Sequence, residues 1–185
     1  PAIDAFEEAF AQYIGSKYAV AVSNGTTALH LAALALGVHA ETRVITSPIT
    51  FAASANCIRY CGGTVDFVDI DPVSFLMDLD KLRAKLEKTG KGYYQGVIPV
   101  DLAGNPVNTA KLKEIADEYG LWILEDACHA PGAEFLDQKG QKHRSGDCHF
   151  ADLAIYSFHP VKHIASGEGG MVTTNNPEFY QKMRI

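Results

Sequence analysis

The chain lacks any apolar run near the ~20 residues that a membrane-spanning helix needs. No signal-peptide pattern opens it. It also lacks a basic block: sixteen Lys and Arg stand against twenty-two Asp and Glu, for a net charge of −6. That balance argues against nucleic acid and anionic membrane surfaces as partners, and the expected location is the cytoplasm. Cysteine is scarce. Cys57, Cys61, Cys128 and Cys148 form no CxxC pair, and Cys57 and Cys61 are expected to pack as small hydrophobes within a helix. Cys128, His129, Cys148 and His149 match no common zinc spacing, so no metal site is expected. GxGxxG and GKS/GKT are both absent, which excludes dinucleotide and Walker-type phosphate loops. No internal repeat, low-complexity tract or linker divides the chain. Its 185 residues suffice for one domain that buries roughly 70% of its unfolded surface.

What is present is an alternation of short apolar runs and helical periodicity. Residues 4–14 read as an amphipathic helix with Phe6, Phe10, Tyr13 and Ile14 on one face. Strands are expected at 18–22, 44–46, 64–70, 96–100, 121–124, 153–156 and 170–174. Helices are expected at 28–36, 51–60, 79–88 and 109–119, several closed by glycine (Gly37, Gly62, Gly120). Residues 135–142 read as a hairpin or polar loop, and 177–185 as the start of a helix. Strands alternating with helices imply an α/β fold, a three-layer sandwich around a mostly parallel seven-stranded sheet.

In open α/β sheets ligands bind beyond the carboxyl ends of the strands, and polar residues cluster at those ends here. Ser23-Asn24-Gly25-Thr26-Thr27 joins a strand to a helix. Its N–H groups and hydroxyls, those of Gly25, Thr26 and Thr27 included, suit a phosphate; an ordinary helix cap by Thr26 explains the same residues. Glu125-Asp126 ends a strand and offers a carboxylate to a protonated ring nitrogen, or a structural ion pair. His129 follows one turn on. Phe51 can stack on a flat ring or belong to the core. Ser157 ends the strand at 153–156. Lys162 follows five residues later, before the glycine-rich Gly167-Glu168-Gly169-Gly170. A lysine shielded beyond a strand end can lose its proton and attack a carbonyl; a lysine in a surface loop is the plain alternative. Singly each signal is weak. Together they supply a phosphate cradle, a ring stacker, a ring-nitrogen partner and an amine, which are the needs of pyridoxal phosphate.

With these residues in view, the sequence resembles the DegT/StrS group of sugar-nucleotide aminotransferases, which have the fold-type I pyridoxal-phosphate architecture. The resemblance rests on Ser23 to Leu29, Thr50-Phe51, Ile98 to Gly104, Glu125-Asp126-Ala127-Cys128-His129-Ala130, and Ser157-Phe158-His159-Pro160-Val161-Lys162 with the GEGG turn. It covers essentially the whole chain. Its nearest subgroup aminates C4 of a UDP-linked 4-keto-6-deoxy-N-acetylhexosamine on the way to pseudaminic acid.

The resemblance implies pyridoxal 5'-phosphate as cofactor, with Lys162 carrying it as a Schiff base and shuttling the proton. It implies Asp126 at the pyridine nitrogen, His129 near the ring oxygen, Phe51 stacked on the ring, and Thr26, Thr27 and Ser157 on the phosphate. The expected substrates are a UDP-linked keto sugar and an amino donor, glutamate. Lysine at position 162, where related sugar dehydratases carry histidine, favours transamination over dehydration or lyase chemistry. Family chains are about twice as long and act as homodimers. Residues 1–185 are therefore expected to be the cofactor-binding large domain, without the small C-terminal domain. An inactive or regulatory fragment is the alternative reading.

Overall fold

The computed structural model describes residues 2–184. Its elements follow in chain order as α1 (Ala2–Ile14), β1 (Tyr18–Val22), α2 (Gly25–Ala35), β2 (Arg43–Thr46), α3 (Ala53–Tyr60), β3 (Thr64–Phe67), α4 (Leu79–Thr89), β4 (Gly96–Ile98), α5 (Thr109–Tyr119), β5 (Trp122–Asp126), β6 (Glu134–Leu136), β7 (Lys142–Arg144), β8 (Leu153–Ser157), β9 (Gly170–Thr174) and α6 (Pro177–Met183). A seven-stranded sheet has the order β1-β9-β8-β5-β4-β2-β3, and β6-β7 form a separate hairpin. Pairing is parallel from β3 through β2, β4 and β5 to β8. β9 pairs antiparallel with both β8 and β1. Six strands therefore point one way, and the carboxyl ends of β1, β2, β4, β5 and β8 share one edge.

The strands are buried on both faces because their residues alternate sides. Val44, Ile98, Leu124 and Ile155 face one cluster, with Ala28, Ala32 and Ala33 of α2 and Cys57 and Ile58 of α3. Ile45, Val97 and Ile123 face the other, with Leu82 and Leu86 of α4 and Leu112 and Ile115 of α5. In the α2–α3 cluster Cys57 is fully buried and Cys61 packs at the margin, as small hydrophobes do. α1 covers the same side as α4 and α5, with Phe10, Ala11 and Ile14 against Tyr156 and Phe158.

Side-chain caps set the helix starts. Asn24 accepts from Thr27 N at 2.8 Å, so α2 begins at Gly25 and not at residue 28, and Asn24 rather than Thr26 is the cap. Asp78, Asn108 and Asn176 cap α4, α5 and α6 in the same way. Other boundaries move as well, two of them by several residues. α3 starts at Ala53, after bends that carry Thr50 and Phe51 past the β2 end. β3 stops at Phe67 because its neighbour β2 ends at Thr46 and offers no further ladder. The buried face of α1 also differs from the expected one. Phe6 and Tyr13 are largely exposed, while Glu7 is buried with Phe10, Ala11 and Ile14. Glu7 accepts from Ala21 N at 2.8 Å and from Arg184 Nη1 at 2.9 Å, and these donors satisfy its buried charge.

At the centre of the sheet, Gly96 and Trp122 are register partners. A Cβ added at Gly96 would fall inside the Trp122 indole. Gly96→Val is expected to destabilise the fold by about 1–3 kcal/mol through overpacking. Trp122 is the single tryptophan, so urea unfolding followed by its fluorescence reads both the stability loss and a red shift from ring displacement.

Candidate active site

A cavity of about 620 Å³ opens at the edge where the parallel strands end. The loop after β1 contributes Asn24, Gly25 and Thr26 to its wall. The loop after β2 contributes Thr50 and Phe51, the β4 end Val100 and Asp101, the β5 end Asp126, Cys128 and His129, and the β8 end Ser157 and Lys162. Thus seven of the eight residues singled out in the sequence line one space: Gly25, Thr26, Phe51, Asp126, His129, Ser157 and Lys162. Thr27 does not. Its hydroxyl turns back to Asn24 Oδ1 at 3.0 Å and Ser23 Oγ at 3.1 Å, as part of the cap.

Lys162 is half-buried, and its Nζ lies 2.7 Å from His129 Nε2. The other ring nitrogen, Nδ1, accepts from Ala103 N at 3.4 Å, which aims the ring. Burial first, and then the charge of Lys162, hold His129 below the usual imidazole range. With Nδ1 accepting, a neutral imidazole carries its proton on Nε2 and can donate it to the free-amine form of Lys162.

Asp126 is 4% exposed. Its Oδ2 accepts from Ser54 Oγ at 2.6 Å and its Oδ1 from Cys128 N at 3.3 Å. Phe51 stands at the mouth, 70% exposed, where a flat ligand would cover it. At the opposite wall the α2 N-terminus approaches Ser157 closely. A Cβ at Gly25 would lie 2.8 Å from Ser157 Cβ, so only glycine lets the first turn of α2 share a cradle with that hydroxyl. The first N–H groups of a helix have no intrahelical partner and favour an anion.

The strand-end pair Glu125-Asp126 is split by the pleat. Asp126 faces α3 and the cavity. Glu125 faces the other side, and with Asp101 it forms a second, buried carboxyl pair. Ser145 Oγ reaches Asp101 Oδ2 and lies 3.3 Å from Glu125 Oε1. Val107 N donates to Asp101 at 2.8 Å, and Gly146 N to Glu125 at 3.1 Å. Burial raises Asp101 to about 6. Burial and the neighbouring Asp101 charge push Glu125 well above the carboxyl range. Sequence reasoning missed this pair, together with Ser54, Asn24, Cys128, His159 and Glu168 in or behind the cavity wall. The signal for Ser54 was its position four residues after Thr50, across the start of a helix.

Among the described residues no cluster of three or more His, Cys, Asp or Glu is arranged to hold a metal. Cys148 is buried against the Thr173 carbonyl oxygen at 3.3 Å, away from His129. Among the described residues no helix is long and apolar enough to cross a membrane.

Residues 1–185 match the profile of the DegT/DnrJ/EryC1/StrS aminotransferase family along their whole length. The chain belongs to this family. It is 42% identical over 181 residues to GDP-perosamine synthase of Caulobacter vibrioides, covering 97% of this chain and 46% of that protein. It is also 42% identical over 183 residues to a UDP-4-amino-4,6-dideoxy-N-acetyl-beta-L-altrosamine transaminase of Campylobacter jejuni, covering 99% and 46%. The solved structure of NtdA from Bacillus subtilis, with bound cofactor PMP, superposes at a TM-score of 0.84 with 32% identity, covering 99% of this chain and 39% of that one. The chain thus spans less than half the length of these aminotransferase relatives.

The buried pair gives a pH dependence with a definite sign. Asp101 binds its proton more tightly in the folded chain, near 6, than in the unfolded chain, near 4. The native state therefore holds more protons across that interval, and stability falls as pH rises from about 4 through 6. Asp101→Asn keeps the acceptor for Val107 N and gives Glu125 an amide donor. It is expected to remove on the order of 2–3 kcal/mol of that decline. Urea unfolding at a series of pH values checks this; a decline equally steep in the variant contradicts it.

Proposed function

We propose that this chain forms the pyridoxal-phosphate site of an enzyme that moves an amino group from glutamate to a UDP-linked 4-keto-6-deoxy sugar. The observation that carries the reading is that Lys162 Nζ, His129 and Asp126 converge on one cavity at the carboxyl edge of the sheet. Membership of an aminotransferase family and the altrosamine transaminase among the relatives support the reaction class, and the PMP-containing structure supports the cofactor. PMP is the amine form of pyridoxal phosphate.

The residues present suit that cofactor. Thr26, the Gly25 backbone at the α2 N-terminus and Ser157 would hold the phosphate, with the narrow Gly25–Ser157 approach fixing its place. Thr27 is left out of this cradle because the cap engages its hydroxyl. Phe51 would cover one ring face, and Asp126 would accept from the ring nitrogen. When bound, pyridoxal phosphate supplies an aldehyde for amines and a ring that draws electrons from the carbon losing its proton.

The chain's own groups do the rest. Lys162 Nζ would hold the cofactor through its aldehyde carbon and, as a free amine, would carry a proton from one substrate carbon to another. His129 orients that amine through the 2.7 Å contact. The Asp126 carboxylate would favour a protonated ring nitrogen, where a charge-assisted hydrogen bond contributes about 1.5–3 kcal/mol. The apolar wall of Leu29, Val100 and Leu102 excludes water and strengthens these interactions.

We read residues 1–185 as the cofactor-binding large domain of a longer, homodimeric protein. The support is the self-contained cavity and the length of the relatives.

Borohydride reduction of the full-length protein with pyridoxal phosphate is expected to fix a phosphopyridoxyl group on Lys162, found by peptide mass. Lys162→Ala is expected to lose the adduct and to lower amino transfer by at least a hundredfold, on the scale of a lost acid–base group. Product mass after incubation with keto sugar and glutamate should show an amine gained. Undiminished trapping in the variant, or loss of water instead of amine gain, overturns the proposal.

A further inference from the structure

A run of three hydroxyl and carboxyl groups lies behind the cavity wall. Ser54, on the first turn of α3, is fully buried, and its Oγ lies 2.6 Å from Asp126 Oδ2. Thr50, whose side chain lines the cavity, places Oγ1 2.7 Å from the same Ser54 oxygen. An ionised carboxylate only accepts, so the Ser54 proton points to Asp126. Ser54 has a single O–H, so it must accept from Thr50. The direction is thereby fixed as Thr50 Oγ1–H to Ser54 Oγ–H to Asp126 Oδ2. Cys128 N holds the second oxygen at 3.3 Å. The carboxylate is pinned from α3 and from its own strand end. Around it, Cys57 and Cys128 are uncharged thiols raised by burial, and Lys162 and His129 stand across the cavity.

We propose that Ser54 is a positioning residue that holds the Asp126 carboxylate, ionised and oriented, against the ring nitrogen of the cofactor, with Thr50 orienting the Ser54 hydroxyl. The proposal rests on the pyridoxal phosphate reading above. Charge-assisted hydrogen bonds are strong and directional, and burial leaves no water to replace the one from Ser54. Loss of the hydroxyl frees the carboxylate to rotate. Loss of the Thr50 hydroxyl frees the Ser54 rotor. Thr50 Oγ1, having given its proton inward, presents only lone pairs to the cavity.

The test is binding of pyridoxal phosphate and of its 1-deaza analogue, in which C–H replaces the ring nitrogen, to the full-length protein by visible absorption. Ser54→Ala is expected to weaken pyridoxal phosphate roughly tenfold while leaving the deaza analogue within about twofold, and Ser54→Thr is expected to restore the difference. Thr50→Val, at the cavity wall, is expected to show the same ligand dependence at smaller size, and decides the matter if Ser54→Ala does not fold. Equal weakening of both ligands, or no weakening of either, overturns the positioning role. If the unaltered protein binds neither ligand, the cofactor reading falls, and this inference with it.

Discussion

Parallel pairing from β3 to β8 brings the carboxyl ends of neighbouring strands to one edge, and most of the cavity depends on it. The six aligned strands leave that edge lined by the loops after β1, β2, β4, β5 and β8. The one reversed strand, β9, begins there and closes the wall beside Ser157. The order is held by apolar burial on both faces. Residues such as Ile45 and Ile98 lose essentially all their exposure, each contributing about 1.5–3 kcal/mol. A ligand site built on this edge inherits the rigidity of the core beneath it.

The second constraint is the handling of charge inside that core. Asp126, Glu125, Asp101 and Glu7 are all buried, and each is treated differently. Asp126 receives two donors and faces a cavity with an amine. Glu7 is paired with Arg184, which ties α1 to the end of α6. Asp101 and Glu125 have no cation, only each other, Ser145 and two backbone N–H groups, so burial raises both. One two-residue motif, Glu125-Asp126, thus serves two sides of the sheet because successive residues of a strand point oppositely.

Much of this arrangement was legible in the chain. Strand runs such as Val44-Ile45-Thr46 and the glycine stops after α2 and α5 carry local signals, and the fold class follows from their alternation. Seven cavity residues were legible because each lies at or within a few residues of a strand's carboxyl end. Boundaries failed where a side chain or a neighbour decided them. Asn24 outcompeted Thr26 for the α2 cap, and β3 ended where β2 ended. The face of α1 was misjudged because Glu7 reads as a surface residue until Arg184, 177 positions away, is placed beside it.

The sequence by itself determined the alternating α/β order, the chemistry available at each strand end, and, through motif resemblance, the family to which the chain belongs. Only the tertiary structure decided which of those groups meet. It turned Thr27 out of the cavity, set Lys162 against His129, and placed Ser54 under Asp126 and Ser145 between Asp101 and Glu125. The physical reason is range. Propensity, capping and hydrophobic period act over a few residues, whereas desolvation and hydrogen bonding act between any groups that the packed layers bring within about 3 Å.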